Sequence, residues 1–270
     1  MINKSYDFEY DPYIPTEENM FLKLKSNSEI DDSWTLHKIP FAHVINKKGV
    51  HYAQLLINSL NQDENKILVC QHIFADKLKV DKNTVLCSPH ATINDKIISI
   101  PHYPVNVSIE EKERDLLFSF VGSVTTHMTR RNLVNLFPEN CKDSGVHWAL
   151  EKGLDSKIKD NYKNLLSRSV FSLCPRGTGI SSVRIFESMA SGAIPVIIAN
   201  GYRPPLNNFI NWKEISIFVK ENEINNIKNI LKSKSPSETK EMKEKMKDVY
   251  DNFLSIDNFH KSVEIEINGK

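Results

Sequence analysis

The chain has 270 residues, 40% of them apolar and 26% charged, which is ordinary for a globular protein. Lys and Arg number 35 against 34 Asp and Glu, so no net charge points to a protein that coats nucleic acid or an acidic membrane. That length allows one large domain or two modest ones with real cores. The four cysteines, Cys70, Cys87, Cys141 and Cys174, form no Cys-x-x-Cys pair; they read as reduced, mostly buried thiols rather than a disulfide framework or zinc site.

The first residues are acidic and lack an apolar core, which is not a signal peptide. No apolar run approaches the roughly 20 residues needed to span a bilayer. The expectation is a cytoplasmic protein without a transmembrane segment, with peripheral membrane contact left open. Residues 1 to about 35 read as an irregular arm with a short helix near Glu17 to Lys25. His51 to Leu60 has helical spacing, and Lys66 to Gln71 is a short apolar run of the buried-strand kind. Thr84 to Cys87 and Lys96 to Ile100 repeat that character before Pro101 and Pro104 punctuate the chain.

Beyond residue 112 strands and helices alternate. Asp115 to Val121, Val170 to Cys174, Ile194 to Ile198 and Ile215 to Val219 read as strands. Thr129 to Leu136, Ser156 to Ser167, Ser181 to Ser191 and Glu223 to Leu231 read as helices, the third stopped by Gly192. Ser235-Pro236-Ser237-Glu238 is a capping box with proline at the first helical position. It opens a Lys/Glu-rich amphipathic helix to about Leu254. This rhythm predicts an α/β fold with mainly parallel sheets, divided as 1–110, 111–255 and a tail 256–270, the boundary falling near 105–112.

The stretch from Cys174 to Ile198 carries the chemistry. It reads as strand, loop, helix, strand. The loop holds Arg176, Gly177, Thr178, Gly179, Ser181 and Ser182. Its glycines let backbone approach a ligand closely, and a helix start after it suits a phosphate or diphosphate. Arg184 and Glu187 share a helix face. The arginine could fork onto phosphate oxygens and the carboxylate could accept from a ribose diol. The same spacing fits a surface ion pair, and spacing alone does not choose. A second segment, Gly122-Ser123 followed by Thr125, Thr126, His127, Arg130 and Arg131, could add phosphate contacts or be a solvated surface helix. Neither segment is Gly-x-Gly-x-x-Gly or a P-loop, which argues against a dehydrogenase or an NTPase.

These residues carry a resemblance. Cys174-Pro-Arg-Gly, Ser182-Val-Arg-Ile-Phe-Glu187 and Gly192-Ala-Ile-Pro-Val-Ile197 resemble the signature of exostosin-type glycosyltransferases. Arg114 to Gly122 with Arg131, Phe209-Ile-Asn-Trp-Lys213, and the apolar pieces at Ile67 to His72 and Lys96 to Pro101 resemble that family's flanking segments. More distantly, the helix and the Gly-Ala-Ile-Pro turn are similar to those of α-1,3-fucosyltransferases.

The resemblance implies a GT-B-like fold, two Rossmann-like domains facing a cleft, with 1–110 on the acceptor side and 111–255 binding the donor. It implies an inverting transfer from a nucleotide sugar, a UDP-sugar, to a glycan or lipid-linked acceptor, with no metal and no other cofactor. Arg176 and Arg184 would contact the diphosphate and Glu187 the ribose. Gly122, Ser123 and Arg131 would assist at the phosphates. The alternatives are a GDP-fucose-dependent enzyme and a non-catalytic carbohydrate-binding or scaffold relative in polysaccharide synthesis. An inverting transfer needs a base for the acceptor hydroxyl. His72 is the first candidate, although Ile73 follows it where the family often has aspartate. His43, His90, His102 and Asp95 remain open, and His127 could face the donor.

Overall fold

The computed structural model describes residues 2–5, 9–10, 15–94, 96–105, 107, 112–145 and 156–269. Two compact units divide the chain. The first takes Met1–Tyr103, Gly201–Asn207 and Ile256–Lys270; the second takes Pro104–Asn200 and Asn208–Ser255. The boundary expected at 105–112 lies largely outside the described residues, as does Asp95.

The first unit holds β1 (Ile2–Ser5), α1 (Pro15–Asn27), β2 (Trp34–Lys38), α2 (Phe41–Lys48), α3 (Val50–Asn58), β3 (Asn65–Val69), β4 (Thr84–Ser88) and β5 (Ile98–Ser99). The strands form one parallel sheet in the order β1-β2-β3-β4-β5. Alternate residues go to opposite faces, as strand geometry requires. Ile67 and Val69 join α1 through Met20 and Leu24, whereas Leu68 and Cys70 join α2 and α3 through Val44 and Ile57.

Two features here depart from the expectation. β1 and β2 lie where an irregular arm was read, and residues 256–270 are no mere tail. Phe259, Val263 and Ile267 pack into the same core cluster as α1. The last two belong to a helix, Lys261–Asn268. Residues 201–207 also join this unit. An antiparallel bridge pairs Tyr202 with Thr92, and the Arg203 amide donates to the Ala91 carbonyl at 3.1 Å.

The second unit holds β6 (Leu116–Gly122), α4 (Met128–Leu136), β7 (Cys141–Asp143), α5 (Ser156–Arg168), β8 (Ser169–Pro175), α6 (Arg184–Ala190), β9 (Ile194–Ile198), β10 (Ile217–Phe218), α7 (Ile227–Lys232) and α8 (Pro236–Val249); the closing helix of the first unit is α9. Its sheet is also parallel, in the order β10-β9-β8-β6-β7. The capping box forms at α8. Ser235 Oγ accepts from the Glu238 amide at 3.2 Å, and the Glu238 carboxylate accepts from the Ser235 amide at 2.8 Å. Met242 and Met246 face inward while Lys240 and Lys245 pair with glutamates outside. This is the expected amphipathic helix, continued by one wider turn at Tyr250–Leu254.

The strand orders set the two units apart. The first sheet adds each strand beside the last, so its connections run one way. In the second, the chain leaves β6 outward to β7, then crosses back to β8 on the other side of β6. That reversal makes β6 and β8 a topological switch point. At such a point the loops of open α/β sheets generally diverge at the carboxyl ends of the strands, their usual ligand site.

Candidate functional site

The residues leaving β6 and β8 at their carboxyl ends are Gly122-Ser123 and Pro175-Arg176-Gly177, two segments singled out from the sequence. Side chains from α4 and α6 fill the space around them. Arg184 opens α6 and is only 5% exposed. Its guanidinium donates through Nη2 to the Val121 carbonyl of β6. The guanidinium carbon sits 4.8 Å from the Phe120 ring centroid and 5.4 Å from that of Tyr162. Arg130 of α4 approaches Phe120 too, at 5.9 Å. It donates from Nε to the Arg176 carbonyl at 2.9 Å and from Nη2 to the Pro175 carbonyl at 3.2 Å.

Two guanidiniums thus share one aromatic ring. Burial and the neighbouring Arg184 charge hold Arg130's proton affinity down at about 9, still cationic at neutral pH. Nothing among the described residues bonds Arg184 Nε or Ser182 Oγ, both fully buried. A buried charged donor without an acceptor costs free energy unless something else supplies one. An anion would satisfy both and relieve the repulsion between the arginines.

Gly122 and Gly177 also make room inside the protein. A Cβ on Gly122 would lie 2.8 Å from Arg184 Nη2, and one on Gly177 would lie 3.0 Å from Arg130 Nη2. Their bareness lets the two guanidiniums close on the strand ends.

Glu187, one turn after Arg184, is 1% exposed and accepts from the Tyr162 hydroxyl at 2.8 Å. Burial, then the Glu187 carboxylate, keeps that phenol far above its ordinary value and so protonated as a donor. Arg184 and Glu187 are therefore not a surface pair; both are built into the interior. The helix they occupy is shorter than expected. It spans Arg184–Ala190, because residues 178–182 follow an open course. Ser181 and Ser182 are buried beside it, Thr178 is exposed, and Arg176 is half-buried with its guanidinium 3.3 Å from the Thr178 carbonyl. Gly192 ends the helix at φ +70°, as expected of a left-handed cap.

On β6, Ser123 Oγ lies 2.8 Å from Thr125 Oγ1, and Thr126 donates to the Ser123 carbonyl at 3.1 Å. Arg131 is exposed on α4, and the site arginine is its neighbour Arg130. Helical phase carried the signal. Arg130 stands three residues before the buried Leu133, on the inward face. The sequence reading also missed Phe120, Tyr162 and Glu221, which only the sheet order brings here.

His72 belongs to the first unit, just after β3. Its Nδ1 accepts from the Phe74 amide at 3.1 Å and its Nε2 lies 3.2 Å from Asn46 Oδ1. Burial lowers its basicity. With the Nδ1 lone pair engaged, it could take a proton only by releasing the Phe74 amide. His90 and His102 pack edge to face at 5.2 Å, both buried. All four cysteines are buried and in no disulfide among the described residues, as read. Among the described residues no three His, Cys, Asp or Glu side chains gather as a metal set, and no helix is long and apolar enough to cross a membrane.

A buried cationic cluster therefore sits at the switch point of a parallel sheet, where open α/β proteins usually take their ligands. The chain belongs to the exostosin GT47 domain family, whose model matches residues 40–234. It is similar to the Exostosin-1 homolog of Caenorhabditis elegans, 37% identical over 161 residues, covering 53% of this chain and 42% of that protein. It is also similar to a probable glycosyltransferase of Arabidopsis thaliana, 35% identical over 123 residues, covering 46% and 22%. The chain thus spans less than half the length of these relatives. A solved structure of the DNA-modifying enzyme β-glucosyltransferase is a loose likeness. It has a TM-score of 0.45 and 13% identity, and covers 99% of this chain and 100% of that one.

Proposed function

We propose that this chain is the catalytic core of a glycosyltransferase that moves a sugar from a UDP-sugar to a glycan or glycolipid acceptor, with inversion and without a metal. One observation carries the reading. Arg130 and Arg184 converge on Phe120 at the β6–β8 switch point, with Arg184 Nε and Ser182 Oγ unsatisfied among the described residues. A diphosphate supplies what that cluster lacks, two negative charges and several acceptor oxygens. Stabilising the leaving diphosphate is also the main electrostatic task of glycosyl transfer.

In this reading Arg184, Arg176 and Ser182 hold the diphosphate, and Arg130 keeps the glycine loop in place behind it. Thr178, Ser181, Ser123 and Gly122 frame the phosphates. Glu187, already oriented by Tyr162, accepts from the ribose hydroxyls. Arg131, exposed on α4, is left out of the core of the site. A base must deprotonate the acceptor hydroxyl, and His72 remains its candidate once the Phe74 amide is displaced. Family membership and the similarity to a probable glycosyltransferase of Arabidopsis thaliana support the reaction class.

The test is calorimetric binding of UDP, GDP and ADP, followed by nucleotide release from a panel of nucleotide sugars with and without EDTA. UDP binding and slow UDP release that EDTA leaves unchanged are expected. Preference for GDP would move the protein to the fucosyltransferase-like reading. Binding without turnover on any acceptor would make it a carbohydrate-binding or scaffold relative. No nucleoside diphosphate binding would sink the donor site.

A further inference from the structure

Glu221 stands just past β10, at the carboxyl end of the second unit's strands, as the arginine cluster does. Its Oε1 accepts from the Asn200 amide at 3.0 Å, and its own amide donates to Asn200 Oδ1 at 3.2 Å, so it staples the ends of β9 and β10. Its Oε2 faces α4. Thr129 Oγ1 lies 3.4 Å away and His127 Nε2 3.8 Å away.

His127 is the N-cap of α4. Its Nδ1 accepts from the Thr129 amide at 3.3 Å. A ring nitrogen that accepts carries no proton, so the geometry assigns the neutral ring's proton to Nε2, the atom turned to Glu221. A histidine is an unusual cap, since Ser, Thr, Asp and Asn are preferred, and it needs a fixed tautomer to serve as one. Three residues on, the same helix carries Arg130, whose bonds to the Pro175 and Arg176 carbonyls hold the glycine loop.

We propose that Glu221 and His127 form a positioning pair for the anion site. The carboxylate selects the imidazole tautomer and anchors α4, and α4 thereby fixes Arg130 against the Arg176–Gly177 loop. Neither residue touches the ligand in this scheme. The proposal rests on the donor-site reading, but its structural half can be measured without any ligand.

The pair also makes the site pH-sensitive. The charged groups facing the imidazole are Glu221 after β10, Arg176 after β8 and Arg130 on α4. Burial first, then the two arginines, lower the histidine's pKa, and Glu221 opposes them. Above the ordinary histidine value near 6.5 the ring is neutral and the cap intact. As pH falls below that value toward the folded pKa, protonation of Nδ1 takes away the acceptor and the cap with it.

Glu221→Ala and Glu221→Gln test the anchor, and His127→Asn tests the titration, because asparagine caps without titrating. Two readouts are needed, amide hydrogen exchange of residues 128–136 and UDP affinity by calorimetry from pH 7.5 to 5.5. We expect Glu221→Ala to speed exchange across α4 and weaken UDP about tenfold, the loss of one charge-assisted bond. Glu221→Gln keeps the acceptor for the Asn200 amide and should fall between. His127→Asn keeps a cap but loses the imidazole that faces Glu221, so it should weaken UDP by no more than Glu221→Ala at pH 7.5 and lose the extra weakening of the wild type on the acid side. Weaker UDP binding with unchanged α4 exchange would mean that Glu221 meets the ligand itself, and would overturn the positioning role. Unchanged exchange and affinity in Glu221→Ala would overturn it outright. If wild type binds no nucleoside diphosphate, the donor reading fails alone, and the pair is then judged by α4 exchange in Glu221→Ala.

Discussion

Replacing Arg184 with methionine separates a functional cation from a structural one. The side chain is 5% exposed, and its guanidinium holds the Val121 carbonyl and lies over Phe120 and Tyr162. Methionine keeps much of the volume and stays flexible enough to fill the space. The variant loses one hydrogen bond, about 1 kcal/mol, and cation–π contact of about 1–2 kcal/mol. Against that, it removes a desolvated charge whose Nε has no acceptor among the described residues and which repels Arg130. Removing such buried charges in favour of packed apolar groups is often neutral or stabilising by about 1–4 kcal/mol. The terms nearly cancel, so urea denaturation should place Arg184→Met within about 2 kcal/mol of wild type. Binding has no such compensation. Losing a charge-assisted contact of about 1.5–3 kcal/mol to a diphosphate raises the UDP Kd by roughly 10- to 150-fold. The reasoning would be refuted by a variant destabilised by more than about 3 kcal/mol that binds UDP as tightly as wild type, the signature of a purely structural arginine.

Two further outcomes follow from the same geometry. His102 is buried, and burial, then His90, hold its pKa well below the ordinary value. Its folded pKa is depressed, so its contribution is complete above about pH 6.5 and is lost as pH falls, with a limiting slope of about 1.4 kcal/mol per pH unit. His102→Gln should flatten this acid limb in urea midpoints measured between pH 5 and 8, and an unchanged slope would assign it elsewhere. Gly192→Ala should destabilise by about 1–2 kcal/mol, the strain of a side chain at φ +70°. Its Cβ would also meet Arg114 Nη2 at 2.9 Å, where that arginine holds the Ser191 carbonyl. Wild-type stability in that variant would show that Arg114 yields freely.

The sequence by itself determined many local pieces of the second unit. Short apolar runs became β3, β4, β6, β8 and β9 because a buried parallel strand needs little beyond continuous apolar character. The capping box of α8 and the stop at Gly192 were legible because caps are local chemistry. Cys174 to Ile198 was readable as strand, loop, helix and strand for the same reason, although the helix begins at Arg184 rather than Ser181.

Tertiary structure decided what depends on distant partners. β2 and α9 carry weak local patterns and pack on a shared core, and β1 is held by its parallel pairing with β2. The order β10-β9-β8-β6-β7 puts Gly122 beside Pro175, more than fifty residues away, and so makes a switch point that no window of sequence contains. Which arginine joins the buried cluster was decided by helical phase against Leu133, which turns Arg130 inward and leaves Arg131 in solvent. Arg184 and Glu187 were visible as a pair on one helix face. Their burial against Phe120 and Tyr162 was not, because it depends on sheet order and packing rather than on spacing.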